Sequence, residues 1–153
     1  MEKILISACL FGENVRYDAN NTLLDDPVVE TWRREGRLIT LCPEVAGGLP
    51  IPRKPCERDP ETGRILSKDG EDFSDAYQAG AEIALELVRQ HNIRFALLKE
   101  RSPSCGVNLI YDGHFSGTKI PGQGLSTQYL NTHGVKTYSE FDLDRLKADF
   151  SEA

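Results

Sequence analysis

The stretch LLKERSPSCGVNLIYDG, residues 97–113, passes from an apolar run into a turn carrying two serines, a proline, a cysteine and a glycine. A short continuous apolar run that stops at a polar turn is the pattern of a strand buried on both faces, as parallel sheets require. The same pattern occurs twice upstream. Residues 4–8 form an apolar run that ends at Cys9, and residues 38–41 form another that ends at Cys42. The strand preceding Cys105 spans residues 95–98. Three strands therefore each hand on to a thiol, directly or within one turn.

Between these strands the chain reads as helix. Residues 27–35 carry Asp26 as N-cap, Pro27 at the first helical position and Gly36 as stop. Residues 75–91 follow Ser74 as cap, with Ala76, Gly80, Ile83, Ala84, Leu87 and Val88 at helical spacing on one face. Gly80 on that inward face predicts a close approach of neighbouring backbone, because glycine weakens a helix by about 1 kcal/mol relative to alanine. Residues 125–132 predict a short helix stopped by Gly134, residues 135–138 a fourth strand, and residues 143–150 a closing amphipathic helix.

Two segments read differently. Residues 43–72 hold five of the eight prolines and four of the thirteen glycines, which argues against a regular helix or a central strand. Asp112-Gly113 lies between two short apolar-aromatic runs and predicts a hairpin beside the main sheet. The whole is an α/β fold, Rossmann-like or flavodoxin-like, with a mainly parallel sheet flanked by helices and a small hairpin. A length of 153 residues fits one domain spanning 1–153.

Composition narrows the partners. Lys plus Arg number 18 and Asp plus Glu 24, a net charge of −6, so the basic footprint of a nucleic-acid binder is missing. No apolar run approaches the roughly 20 residues needed to cross a bilayer. The start, MEKILISACLFG, resembles a lipoprotein signal at its Ser7-Ala8-Cys9 end, but only Ile4, Leu5 and Ile6 precede it. A signal needs an apolar core of about 7–15 residues. The expected location is cytoplasmic.

The four cysteines, at 9, 42, 56 and 105, form none of the close pairs of zinc fingers or thioredoxin-like sites. They read as a reduced set. In open α/β sheets, ligands gather outside the C-terminal strand ends, where strand order reverses. With strand order 2-1-3-4, Cys9, Cys42 and Cys105 converge on that crevice. Three thiols without a neighbouring histidine suit soft-metal chemistry, with an iron–sulfur cluster the natural host. Each could equally be plain core, since unpaired cysteine often behaves as a small hydrophobe.

The motifs ISACLFG with VRYD, then LCPEVAGGLPIPR, then SPSCG and IYDGHFSG, in that order, resemble the bacterial thiouracil desulfurase family over residues 4–140. The resemblance implies a [4Fe–4S] cluster on Cys9, Cys42 and Cys105. It also implies a non-redox hydrolysis of a small thiolated pyrimidine to the oxo-pyrimidine and hydrogen sulfide. Glu44, two residues after Cys42, is the expected general acid or base. Ser102 is expected to act on the substrate or the developing charge, with Ser104 behind it. Arg16, Asp18 and Arg53 are candidates to hold pyrimidine edges, or to orient loops. The sequence departs from the family at Ala19, where glycine commonly follows RYD, and at Cys56, which is read as a bystander because a fourth thiolate would close the cluster. Two other classes stay open: a non-catalytic metal- or small-molecule-binding module, and a transferase or hydrolase with Cys105 as nucleophile.

Overall fold

A computed structural model of the chain describes residues 1–152. In chain order the elements are β1 (Ile4–Ser7), α1 (Ala8–Phe11), α2 (Pro27–Arg34), β2 (Leu38–Leu41), α3 (Pro43–Ala46), β3 (Cys56–Arg58) and β4 (Ile65–Ser67). There follow α4 (Ser74–His91), β5 (Phe95–Leu98), β6 (Leu109–Tyr111), β7 (Lys119–Pro121), α5 (Leu125–Thr132), β8 (Lys136–Ser139), a 3₁₀ turn (Glu140–Asp142) and α6 (Leu143–Ser151).

The central sheet has the order β2-β1-β5-β8, with every pair parallel. This is the expected 2-1-3-4 arrangement. The buried strands alternate their side chains between two cores, as the pleat requires. Ile4, Ile6, Phe95 and Leu97 face Val29 and Trp32 of α2 and Leu146 and Phe150 of α6. Leu5, Ala96 and Leu98 face Ala84, Leu85 and Val88 of α4 and Leu130 of α5. No helix among the described residues is long and apolar enough to cross a membrane.

The segment 43–72 contains more structure than its prolines and glycines suggest. It opens with the single turn of α3, and β3 pairs antiparallel with β4 in a separate two-stranded sheet. Cys56 and Ile65 of this hairpin, with Tyr77 of α4, make a third small core. That packing rotates the buried face of α4. Tyr77, Ala81 and Leu85 are buried, whereas Ala76, Ile83 and Leu87 are only half-buried. Ser74 is not the cap of α4: it is the first helical residue, and its Oγ accepts from the Ile65 amide at 2.9 Å.

The close approach expected at Gly80 is present. A Cβ there would lie 1.9 Å from the Pro43 carbonyl oxygen, and one at Gly47 would lie 2.0 Å from that of Ala76. The α3 turn therefore sits directly on α4. In the second hairpin, β6 pairs with β7, so the return strand is Lys119–Pro121 and not the run after Asp112-Gly113. Residues 112–118 form the connection.

Candidate functional site

The C-terminal ends of β2, β1 and β5 open into a cavity of about 650 Å³ whose walls include Cys9, Cys42 and Cys105. Each thiol is positioned by the segment that its strand leads into. Cys9 lies in α1, which ends at Gly12 in the left-handed conformation. Cys42 occupies the N-cap position of α3, with its Sγ 3.9 Å from the Val15 carbonyl oxygen. Cys105 lies in a turn closed by Ser102, whose Oγ accepts from the amides of Ser104 at 3.1 Å and Cys105 at 3.0 Å. The start of α5 clamps this turn. The amides of Ser126 and Thr127 donate to the Ser104 carbonyl, and Thr127 Oγ1 donates to that of Cys105.

Glu44 lies at the centre of the polar network. Its Oε1 accepts from Tyr77 OH at 2.7 Å and Arg53 Nε at 3.0 Å, while Oε2 accepts from Ser104 Oγ at 3.2 Å. Ser104 Oγ also meets Ser102 Oγ at 3.0 Å and Cys105 Sγ at 3.6 Å. With 15% of its side chain exposed and that of Arg53 only 5%, Glu44 is no surface carboxylate. Arg53 spends its guanidinium on Glu44, on the Pro50 carbonyl and, at 3.9 Å, on Cys42 Sγ. Burial works against its charge, and the Glu44 carboxylate outweighs that effect, leaving Arg53 above its ordinary pKa.

Arg16 lines the cavity and pairs loosely with Asp18 at 3.7 Å. Asp18 stays outside the lining and accepts from the Asn20 amide, closing its own loop. Ala19 holds φ 62, a conformation that glycine adopts without steric cost. Sequence reasoning missed Tyr77, Thr22, Lys99 and Arg101, which also line the cavity. Tyr77 falls at helical spacing with Ala81 and Ala84, so its place on the inward face of α4 was the available signal.

The chemistry of the donor set decides what the thiols can hold. Burial raises the Cys105 thiol to about 12, with Cys42 and Cys9 adding to the rise and Ser7 and Ser104 opposing it. The two neighbouring thiols are thus within electrostatic reach. Cys9 and Cys42 are also raised, chiefly by burial; Lys99 and Arg16 oppose this at Cys9, and Arg53 opposes it at Cys42. Cys56, on β3, lines the same cavity; burial raises it to about 11, and Glu44, Arg53 and Glu71 are the charges that act on it. Among the described residues no three His, Cys, Asp or Glu groups are close enough to hold one metal ion. Thiolates of a cubane bind different irons and stand further apart than the ligands of a single ion. Among the described residues no histidine lines the cavity, five cationic side chains do, and the buried Thr22 Oγ1 has no hydrogen-bond partner. These features fit an anionic iron–sulfur group.

Comparison with known proteins agrees with this chemistry. A solved structure described as a [4Fe-4S]-dependent thiouracil desulfidase, TudS, superposes with a TM-score of 0.97, at 44% identity and with 100% of both chains covered. The protein YbbK of Bacillus subtilis strain 168 is 35% identical over 151 residues, covering 94% of this chain and 99% of its own. The 2-thiouracil desulfurase family model matches residues 4–142, and the chain belongs to that family.

Proposed function

We propose that this chain, as one domain spanning 1–153, is a cytoplasmic [4Fe–4S]-dependent desulfurase that hydrolyses 2-thiouracil or a related small thiopyrimidine: thiouracil and water give uracil and hydrogen sulfide. The observation that carries the reading is the convergence of Cys9, Cys42 and Cys105 on one cavity beside the largely covered Glu44 carboxylate, in a chain of this family. The three cysteines are the proposed cluster ligands, and Cys56 is not. When bound, a cubane held by three thiolates supplies one iron without a protein ligand, a Lewis acid toward a thiocarbonyl sulfur. Binding must displace the thiol protons that burial holds in place, so loading releases protons.

The protein groups then manage the water. Tyr77 and Arg53 occupy Glu44 Oε1, which leaves Oε2 as the oxygen that accepts the proton of the attacking water and returns it to the departing sulfur. Ser104 connects Oε2 to Ser102 and lies against Cys105, so the two serines orient the carboxylate and the ligand turn together. Arg53 acts here by positioning Glu44, and Arg16, only loosely paired with Asp18, lines the cavity where substrate would sit. The Cys105-nucleophile reading draws no support from the site, because Cys105 is buried and, among the described residues, no histidine lines the cavity to take its proton. Anaerobic purification with iron and acid-labile sulfide counted per chain, followed by hydrosulfide release from 2-thiouracil, tests the proposal. About four irons per chain and turnover are expected for this cluster type. A zinc-loaded or metal-free chain that turns over, or a loaded chain that does not, overturns it.

A further inference from the structure

Phe115 lines the cavity from the connection between β6 and β7. Its backbone lies at φ 55, a left-handed conformation in which a bulky L residue is an outlier. Such strain persists only where surrounding contacts enforce it, and it collects at ligand clamps. The enforcing contact is Glu57, whose Oε1 accepts from the amides of Gly113 at 2.9 Å and Phe115 at 3.2 Å. Glu57 stands on β3, in a different hairpin, so the two hairpins are joined through this carboxylate.

The ring has no structural use that would account for the strain. Phe115 packs into none of the three apolar cores and, among the described residues, stacks on no other aromatic ring. Asparagine or glycine would serve the turn better if only the turn mattered. Tyr111 and Gly117 of the same hairpin also face the cavity, so this wall belongs to the hairpin as a whole.

We infer that Phe115, held in its strained conformation by Glu57, is the stacking wall for the substrate ring, so that this site selects planar heteroaromatic thiocarbonyls over acyclic ones. Phe115 is thereby a specificity-determining residue, and Glu57 is a positioning residue that acts through it. The inference rests on the desulfurase reading for the identity of the ring. Aromatic stacking is strong for any flat base and nearly absent for a small acyclic thiocarbonyl, which offers little π-face.

The test uses cluster-loaded protein under anaerobic conditions, with Phe115→Leu, Phe115→Gly, Phe115→Tyr and Glu57→Ala beside the parent. Uracil, the unreactive product, is titrated by calorimetry, and hydrosulfide release is measured from 2-thiouracil and from thiourea. Phe115→Leu should weaken uracil binding roughly tenfold or more, the range of one base on one aromatic ring, while Phe115→Tyr stays within a few-fold. The ratio of kcat/KM for 2-thiouracil over thiourea should fall by a similar factor in Phe115→Leu, through the 2-thiouracil value alone. Glu57→Ala should raise KM for 2-thiouracil and leave kcat near the parent. Phe115→Gly, which relieves the backbone, should lose binding as Phe115→Leu does while keeping the parent's melting temperature. Uracil affinity within twofold of the parent in both Phe115→Leu and Phe115→Gly overturns the inference while the desulfurase reading stands. A loaded parent that releases no sulfide from 2-thiouracil and binds no uracil overturns both.

Discussion

At the scale of single residues, Glu44 is the most exposed part of the proposed mechanism. Glu44→Gln keeps the shape and a carbonyl oxygen for Tyr77 and Arg53, but cannot take a proton. Iron content should stay near the parent while kcat falls about 10²–10⁴-fold, the usual contribution of a general acid–base group. Hydrosulfide released per intact cluster measures it; turnover within a few-fold of the parent would remove Glu44 from the role. Tyr77→Phe frees Oε1 of one of its two donors, and should lower kcat by about 10–100-fold with KM unchanged, as expected for losing a hydrogen bond to a charged group of about 1.5–3 kcal/mol. Among the cysteines, single alanine replacements at 9, 42 and 105 should each remove the visible cluster absorption, whereas Cys56→Ala should keep it. The sequence made the thiols, Glu44 and the serines legible because Cys9 and Cys42 lie within two residues of a strand end, Cys105 sits in the turn after one, and Glu44 and the serines lie within three residues of a ligand. Tyr77 and Thr22 reach the site through packing of separate elements, from α4 and from the loop after α1, and no local motif announces that.

At the scale of elements, the site depends on how α3 meets α4. Gly80 and Gly47 face each other's helix so closely that any Cβ would collide with backbone, which no rotamer change can relieve. Because Cys42 caps α3 and Glu44 lies in its first turn, the crossing positions a ligand and a carboxylate at once. Gly80→Ala should therefore cost stability by about 1–3 kcal/mol or more, as overpacking does, and cluster loading should drop with it. Iron per folded chain, read beside the melting temperature, checks both parts; unchanged loading would mean that α3 can shift without disturbing Cys42. The longer helices and the four sheet strands were readable from periodicity and caps. The one-turn helices α1 and α3 were not, because helices this short have no stability of their own and form only where the fold holds them. The β3–β4 hairpin was hidden for a related reason: prolines and glycines dominate its surroundings, and its three-residue strands are too short to show alternation.

At the scale of the whole molecule, the parallel sheet and the convergence of three strand ends were legible in the sequence, because strand order and buried apolar runs constrain each other strongly. The ties between distant layers were not, and Asp26 illustrates it. The sequence marked it as the cap of α2, where it accepts from the amides of Val28 at 2.8 Å and Val29 at 3.1 Å. Its other oxygen, however, receives Lys147 of α6 at 2.9 Å, tying together the two helices on one face of the sheet. Burial raises the Asp26 carboxyl, but Lys147 and the two amides outweigh it and hold the pKa below its ordinary value. A carboxyl depressed in the folded state binds its proton more readily when unfolded. Its stabilisation is therefore complete above the unfolded pKa of about 3.9 and is lost as pH falls through the lower folded value. Asp26→Asn retains the cap and loses the charge, so it isolates the pairing with Lys147. Denaturant unfolding of the metal-free chain should show Asp26→Asn about 1 kcal/mol less stable than the parent at pH 6–7, with the gap closing as pH drops below the ordinary aspartate range. A gap that stays constant down to the lowest pH at which the chain folds would show that Asp26 contributes only its cap, and that α6 is held to α2 by apolar packing alone.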